Sequence, residues 1–425
     1  MSTAPLRVVV IGSGLLGLTS AWFLCRHGHE VTVVERREGP ALETSHANAS
    51  LITPSLSAPV VTPAMIASVL GALVRPGTTA GLRPGALPGL VGWGLRALTQ
   101  MGPRRFRRSV TANLALARYN VTVMDQLDAE LGLDYHRETR GTLMIFRRRA
   151  LLEAAMREST QTVAADLASE VLDRVATIAK EPAIAPIGDQ LAGGIFNPAD
   201  GHGDPYLFCR GLERRATQAG VRFRYGTAVD ALEHAGARIT GVNLGRETLA
   251  ADAVVLAAGS HSTALARTVG VRLPILPVKG FSVTVHCPGW TDAPRIPVLD
   301  EEAHLAVAML GDRVRVAGLT EFGAGDTDAP ARRITHLIEH LRRLFPRAAP
   351  FLDGAAPNAW AGLRPLSSDG VPLLGATRLE NLYLNTGHGH LGWSMAAGSG
   401  KALADLMSGR RPEVDVAPYA PERFA

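Results

Sequence analysis

The run Gly12-Ser13-Gly14-Leu15-Leu16-Gly17 has the residue types and the spacing to hold a pyrophosphate. Gly12 allows a tight turn, Gly14 lets the backbone approach phosphate oxygens, and Gly17 lets the following helix pack closely on its strand. Glu35 stands where a carboxylate accepts hydrogen bonds from an adenosine ribose and disfavours a 2′-phosphate, an argument that Arg36 and Arg37 weaken. A glycine turn of this spelling is weak evidence alone and gains its weight from its neighbours. Leu6 to Ile11 reads as a buried parallel strand, a helical pattern through Leu18, Ala21, Trp22 and Leu24 stops at Gly28, and Val31 to Val34 reads as a second strand. The helix N-terminus would then face the phosphates. This βαβ unit predicts dinucleotide binding without separating NAD from FAD.

Other chemistries find less support. His46, His388 and His390 suggest a metal, but no carboxylate or thiolate completes a ligand set, so none is expected. There is no GxSxG elbow for a hydrolase. Cys25, Cys209 and Cys287 lie far apart without a CxxC, which argues against zinc or a disulfide framework and suits a reducing cytoplasm.

The elements that must position these residues occupy a chain of 425 residues, 46% hydrophobic and 20% charged, a mixture that excludes intrinsic disorder. No secretory signal is read, and the apolar run from Ala64 to Val74 is too short to span a bilayer. The net charge of +5 is unevenly placed: residues 44–124 contain no Asp or Glu but carry Arg75, Arg83, Arg96, Arg104, Arg105, Arg107, Arg108 and Arg118. Interleaved with Trp93 and Phe106, these arginines form either a solvated face or a surface for an anionic membrane. Nucleic acid is not expected, because no binding module accompanies them.

Further along, helices are predicted over Thr111 to Leu131, Ala150 to Glu170, Ala331 to Leu344 and Leu391 to Met407. Strands are predicted over Gly141 to Phe146, Gly194 to Asn197, Val221 to Tyr225, Ile239 to Leu244, Asp252 to Ala258 and Asn381 to Thr386. Dinucleotide-type text thus recurs at the start, middle and end. That organisation predicts a nucleotide domain from 1–58, 197–270 and 357–425, interrupted by a second lobe from 59–196 and 271–356.

Three segments carry a resemblance: VVVIGSGLLGLTSAWFL with GHEVTVVERREGPALETSHANAS, then PVKGFSVTV, then GLRPLSSDGVPLLG with NLYLNTGHGHLGWSMAAGSGKALADLMSGR. They resemble the bacterial D-amino acid dehydrogenases (small subunit) of the D-amino acid oxidase-like FAD-dependent family. The resemblance implies an α/β fold, with a Rossmann-like FAD-binding domain interrupted by an α+β substrate domain on a mixed, largely antiparallel sheet. It implies FAD held by Gly12, Ser13, Gly14, Leu15, Leu16, Gly17 and Glu35 at the ADP half, with Arg36 flanking the adenosine. Thr44, Ser45, His46, Ala47, Asn48, Ala49 and Ser50 would wrap the pyrophosphate and the flavin edge. Val229 would meet adenine, Ala258 and Gly259 would close over the dinucleotide, and Gly362 would lie beside the flavin. Gly387, Gly389, His390, Leu391 and Gly392 would bring the last helix to the flavin pyrimidine. With no cysteine in that loop, the FAD is expected to be non-covalent. His46 and His390 depart from the family's usual SFANAG and GHGTLGW.

The implied reaction is oxidative deamination of D-amino acids to 2-oxo acids and ammonia. Hydride would pass from Cα to flavin N5, and electrons to a quinone or other acceptor. Arg364 in GLRP matches the family's carboxylate clamp, a role for which a guanidinium fork is suited; its structural alternative is pairing with Asp369. His388 is a candidate contact to substrate or flavin, Lys279 a cation for reduced flavin, and Tyr206 and Trp393 candidate pocket walls. The expected location is the cytoplasm, with peripheral attachment to the inner face of the membrane through residues 58–108. The rival within the same fold acts on D-proline, hydroxyproline or N-methyl amino acids.

Overall fold

Four apolar residues follow Arg7 in the first strand, Arg7–Ile11, and all four are buried. Such a strand needs cover on both faces, and it lies in the interior of a six-stranded sheet. Glu30–Val34 and Ala253–Leu256 flank it in parallel, Arg222–Arg224 and Leu382–Thr386 extend the two sides in parallel, and Leu373–Ala376 closes one edge antiparallel. The computed structural model describes residues 4–62, 65, 80–82, 87–100, 102–161, 167–354 and 356–424.

Helices Leu15–Arg26, Pro103–Leu131, Pro205–Gln218 and Gly392–Met407 share one core, with Leu18, Leu24, Leu116, Met124, Phe208 and Leu403 among its side chains. Small residues set how closely the helices approach. A Cβ added to Gly400 would stand 2.5 Å from Thr19 Oγ1. On the sheet's other face, a three-stranded antiparallel unit, Ala231–Ala235, Arg238–Asn243 and Thr248–Ala250, packs Leu232, Ile239 and Val242 against Val9 and Val254.

The second sheet has nine strands. Its path runs Asn358–Ser367, Ile275–His286, Arg313–Phe322, Leu305–Leu310, Val298–Asp300, Thr142–Phe146, Gly193–Asn197 and Glu170–Asp173, with Ala80–Leu82 paired to Arg313–Phe322. Two of its pairings are parallel and the others antiparallel. Helix Ala331–Leu344 covers it through Leu337, Leu341 and Leu344.

Several boundaries differ from the sequence expectation. The long helix starts at Pro103, a residue suited to a first helical turn, and its apolar face joins the nucleotide-domain core although 59–196 was assigned to the other lobe. Strand Asn358–Ser367 falls inside the expected 357–425 segment, yet it pairs along Ile275–His286 in the antiparallel sheet. The helix expected to reach Glu170 is described over Arg149–Gln161, and Glu170 opens a strand. Apart from Met65, the apolar run from Ala64 to Val74 lies outside the described residues. Among the described residues, no helix is long and apolar enough to cross a membrane.

Candidate active site

A cavity of about 620 Å³ extends from the first strand to the antiparallel sheet. At its nucleotide end Gly12 takes φ +103°, and a Cβ there would come 2.8 Å from the Ala257 carbonyl oxygen. A Cβ on Gly17 would stand 1.9 Å from the Gly12 carbonyl oxygen, so neither position tolerates a side chain. No side chain caps helix Leu15–Arg26 at its N-cap, although Leu15 N–H donates to Ser45 Oγ at 3.1 Å. Its remaining first-turn amides can face an anion. Glu35, 8% exposed, accepts from Ser13 N at 2.8 Å, from Ser13 Oγ at 3.0 Å and from Arg37 N at 2.8 Å. The two Ser13 bonds fill Oε2, whereas Oε1, bonded only to the Arg37 amide, retains lone-pair capacity for a ribose hydroxyl. Leu16, Val229, Ala258 and Gly259 line the same cavity. Arg36 lines it too, donating to Glu43 Oε1 at 2.5 Å and to His261 Nε2 at 2.8 Å. Burial, with Arg36 second, lowers the His261 pKa and keeps that ring an acceptor.

The 44–50 segment divides. Thr44, Ser45, Asn48 and Ala49 line the cavity, and Thr44 Oγ1 is anchored on the Leu363 carbonyl at 2.9 Å. His46, Ala47 and Ser50 do not. The His46 ring packs edge-on against Tyr206 with centroids 4.7 Å apart, and its buried Nδ1 has no hydrogen-bond partner among the described residues. Burial, then the Arg315 charge, lowers its pKa. The Ala47 carbonyl accepts from Ser282 Oγ at 2.6 Å. Ser50 sits in the left-handed region at φ +63°, uncommon for a side-chain-bearing residue. Its Oγ accepts from Arg315 Nη1 at 2.8 Å.

Arg315 is the hub behind this segment and has no counterpart in the sequence reading. It is 4% exposed, donates to Thr284 Oγ1 at 2.9 Å and places Nη2 3.7 Å from Asp204 Oδ2. The same oxygen pairs with Arg313 at 3.0 Å, while Asp204 Oδ1 caps helix Pro205–Gln218 through the amides of Tyr206 and Leu207. Burial pulls Arg315 down to about 10, with Asp204 opposing and Arg313 assisting, so it remains a cation at neutral pH.

At the end formed by the antiparallel sheet, Arg364 projects from the strand opposite Val278. Its guanidinium lies over Gly280, where an added Cβ would fall 2.4 Å from Nη2. Among the described residues no acidic side chain pairs with it, and Asp369 is instead held by Arg423 at 2.7 and 3.2 Å. Burial alone lowers the Arg364 pKa. A cavity-lining guanidinium can fork a carboxylate through two parallel N–H bonds.

His390 lines the cavity and places Nε2 3.3 Å from the Leu56 carbonyl. Its side chain is exposed, and desolvation by the surrounding protein lowers its pKa, with the Arg364 charge adding to the fall. His388 also borders the cavity, but it is 4% exposed, its Nε2 lies 2.9 Å from Ser399 Oγ, and burial drives its pKa to about 3. It is a neutral tie between loop and helix. Lys279 is placed differently from the expectation. Fully buried, it pairs with Asp326 at 2.6 Å and is absent from the cavity lining. Gly389 and Gly392 line the cavity, whereas Leu391 packs into the core and Gly387 makes room for Leu373 at φ +80°. Gly362 does not line it; a Cβ there would strike the Trp360 ring at 2.2 Å. Trp393 forms a wall, its Nε1 donating to the Gly203 carbonyl at 3.2 Å, while Tyr206 packs on His46.

Another wall of the cavity has no counterpart in the sequence reading. It comprises Leu299 to Ala306 of a hairpin, except Glu302 and Ala303, together with Ala317 and Gly318. Its available signal is Gly318, a glycine inside a strand, which marks a close approach. A Cβ there would come 2.3 Å from Leu305 Cδ2.

A family model described as FAD dependent oxidoreductase matches residues 7–406. The chain belongs to that family. A protein named D-amino acid dehydrogenase from Allorhizobium ampelinum is 39% identical over 420 residues, covering 99% of both chains. A solved glycine oxidase from Bacillus cereus superposes with TM-score 0.73 at 24% identity over 95% of each chain. An L-proline dehydrogenase from P. horikoshii gives 0.72 at 18% identity over 99% of this chain and 98% of that one. These two structures share the fold. The site's features fit FAD: the Gly12 and Gly17 cradle, a helix start whose N-cap residue supplies no side-chain cap, Glu35 beside it, and a cavity continuing to Arg364.

Proposed function

We propose that this protein is a D-amino acid dehydrogenase that holds FAD non-covalently and converts D-amino acids to 2-oxo acids and ammonia. The observation that carries this reading is Arg364, a cation in the cavity wall with no acidic partner among the described residues. The full-length similarity to proteins named D-amino acid dehydrogenase supports the substrate class.

Bound in the cavity, FAD supplies the two-electron acceptor for the hydride leaving the substrate Cα. The chain's own contribution is position and field. Gly12, Gly14 and Gly17 admit the pyrophosphate, and the first-turn amides of Leu15–Arg26 offset its charge. Helix Gly392–Met407, also without a side-chain cap, brings its positive end to the cavity through Gly392, where it favours negative charge. Arg364 forks the substrate carboxylate, fixing the plane of the substrate so that one enantiomer presents its Cα–H. No strong base is required when the hydrogen leaves as hydride. Water then converts the released imino acid to the 2-oxo acid and ammonia.

Electrons leave to a quinone or another acceptor at the inner face of the membrane, reached from the cytoplasm. The support is a two-faced helix. In Leu87–Gln100, Trp93 and Ala97 pack on Val278 and Leu366, while Val91, Leu95 and Leu98 are 59%, 62% and 55% exposed. Exposed Arg104, Arg105, Arg107 and Arg108 follow at the start of the next helix. Anaerobic reduction of the bound flavin by a panel of D-, L- and cyclic amino acids tests the reading; reduction by cyclic or N-methyl amines alone would replace it with the secondary-amine alternative.

A further inference from the structure

Arg364 and His390 share the substrate end of the cavity but offer opposite hydrogen-bonding chemistry. Arg364 can only donate. In His390 the tautomer is set by the Leu56 carbonyl, 3.3 Å from Nε2: a carbonyl oxygen only accepts, so Nε2 carries the proton and Nδ1 keeps its lone pair. Desolvation by the surrounding protein, with the Arg364 charge adding to it, disfavours protonation of the ring and leaves it neutral. His388, two residues earlier, cannot play the same part, because its ring is buried against Ser399. Nearby hydroxyl protons are committed as well. Thr44 Oγ1 and Ser260 Oγ both donate to the Leu363 carbonyl, at 2.9 and 3.0 Å.

An α-amino acid carries its carboxylate and its amino group on one carbon. A carboxylate seated on Arg364 therefore places the amino group among the residues flanking the guanidinium. We propose that His390 Nδ1 accepts a hydrogen bond from the substrate amino group while Arg364 holds the carboxylate, so that His390 selects α-amino acids over carboxylates lacking the amine. A neutral acceptor suits this place better than a carboxylate, which would pair with Arg364 and close the clamp. This inference rests on the reading of the site as an amino acid site.

The test compares two ligands that differ only in the amine, D-alanine and propionate, on FAD-loaded wild type, His390→Leu and His390→Gln. KM for D-alanine is read from flavin reduction, and propionate Kd from calorimetry. In His390→Leu the D-alanine KM should rise about tenfold or more, the scale of one hydrogen bond to a charged group, while propionate Kd stays within about twofold. Glutamine, which keeps an acceptor, should restore most of the loss. Equal weakening of both ligands, or an unchanged D-alanine KM, overturns the assignment. A wild-type flavin that no amino acid reduces overturns the amino acid reading itself, and is distinguished by that control.

Discussion

The Arg364 guanidinium lies across the bare Cα of Gly280, and a single methyl at that position would stand 2.4 Å from Nη2 and 2.5 Å from Cζ. The two residues sit on paired strands, with Gly280 opposite Gly362 and Arg364 opposite Val278, so the backbone fixes their relationship. Gly280→Ala should fold, because the end of a flexible side chain can yield, but it should displace the clamp. A rise in KM of about tenfold with unchanged FAD content is expected. Unchanged kinetics would show that the guanidinium binds from elsewhere.

Removing the clamp outright should cost more. Arg364→Leu deletes a charge-assisted pair worth about 2–5 kcal/mol, so kcat/KM should fall roughly 30-fold or more. Arg364→Lys keeps the charge but loses the fork and should recover only part of the loss. Steady-state kinetics alongside the FAD to protein ratio separates this effect from misfolding.

Arg315 holds the turn at Ser50 from behind, and its loss leaves Asp204 with Arg313 alone. Arg315→Met should destabilise the protein by about 3 kcal/mol. It should also lower FAD retention on dialysis, because the 44–50 segment loses one of its anchors. Wild-type melting temperature and FAD retention together would contradict a positioning role.

Stability should fall on acidification. The folded pKa of His388 is depressed to about 3 by burial, below its unfolded value of about 6.5. Between those values the unfolded chain binds the extra proton, so stability is intact above about pH 6.5 and is lost as pH falls, by up to about 1.4 kcal/mol per pH unit. Asp200, raised to about 6 by burial, works in the opposite direction below that pH. His388→Gln should flatten the melting temperature profile between pH 6.5 and 4; an unaltered slope would assign the acid sensitivity to other groups.

If the arginine face meets a bilayer, replacing Arg104, Arg105, Arg107 and Arg108 with Ala should weaken binding to anionic vesicles at least tenfold, given about 1 kcal/mol per basic residue near such a surface. Neutral vesicles should bind neither protein. Equal binding of both proteins to anionic vesicles would remove the membrane proposal.

The nucleotide end was legible because its chemistry is local. Gly12, Gly17 and Glu35 lie within one βαβ unit, where turn, helix start and strand end are set by residues close in sequence. His46 and Lys279 were harder to place, because the direction of a side chain depends on distant partners, Tyr206 and Asp326. Arg315 and the hairpin wall at Leu305 went unread for the same reason. Alternating strands look alike until their register is known, and Leu305 meets Gly318 only in the assembled sheet. The boundary at 357 was misplaced because Asn358–Ser367 runs directly into nucleotide-domain text while pairing with the other sheet.

The most direct measurement is an anaerobic absorbance spectrum of the purified protein before and after adding matched D- and L-amino acids. A flavin spectrum bleached by D-isomers and left unchanged by L-isomers is the expected result, establishing cofactor, reaction and handedness together. A flavin spectrum that no D-amino acid bleaches would contradict the assignment of this site to D-amino acid oxidation.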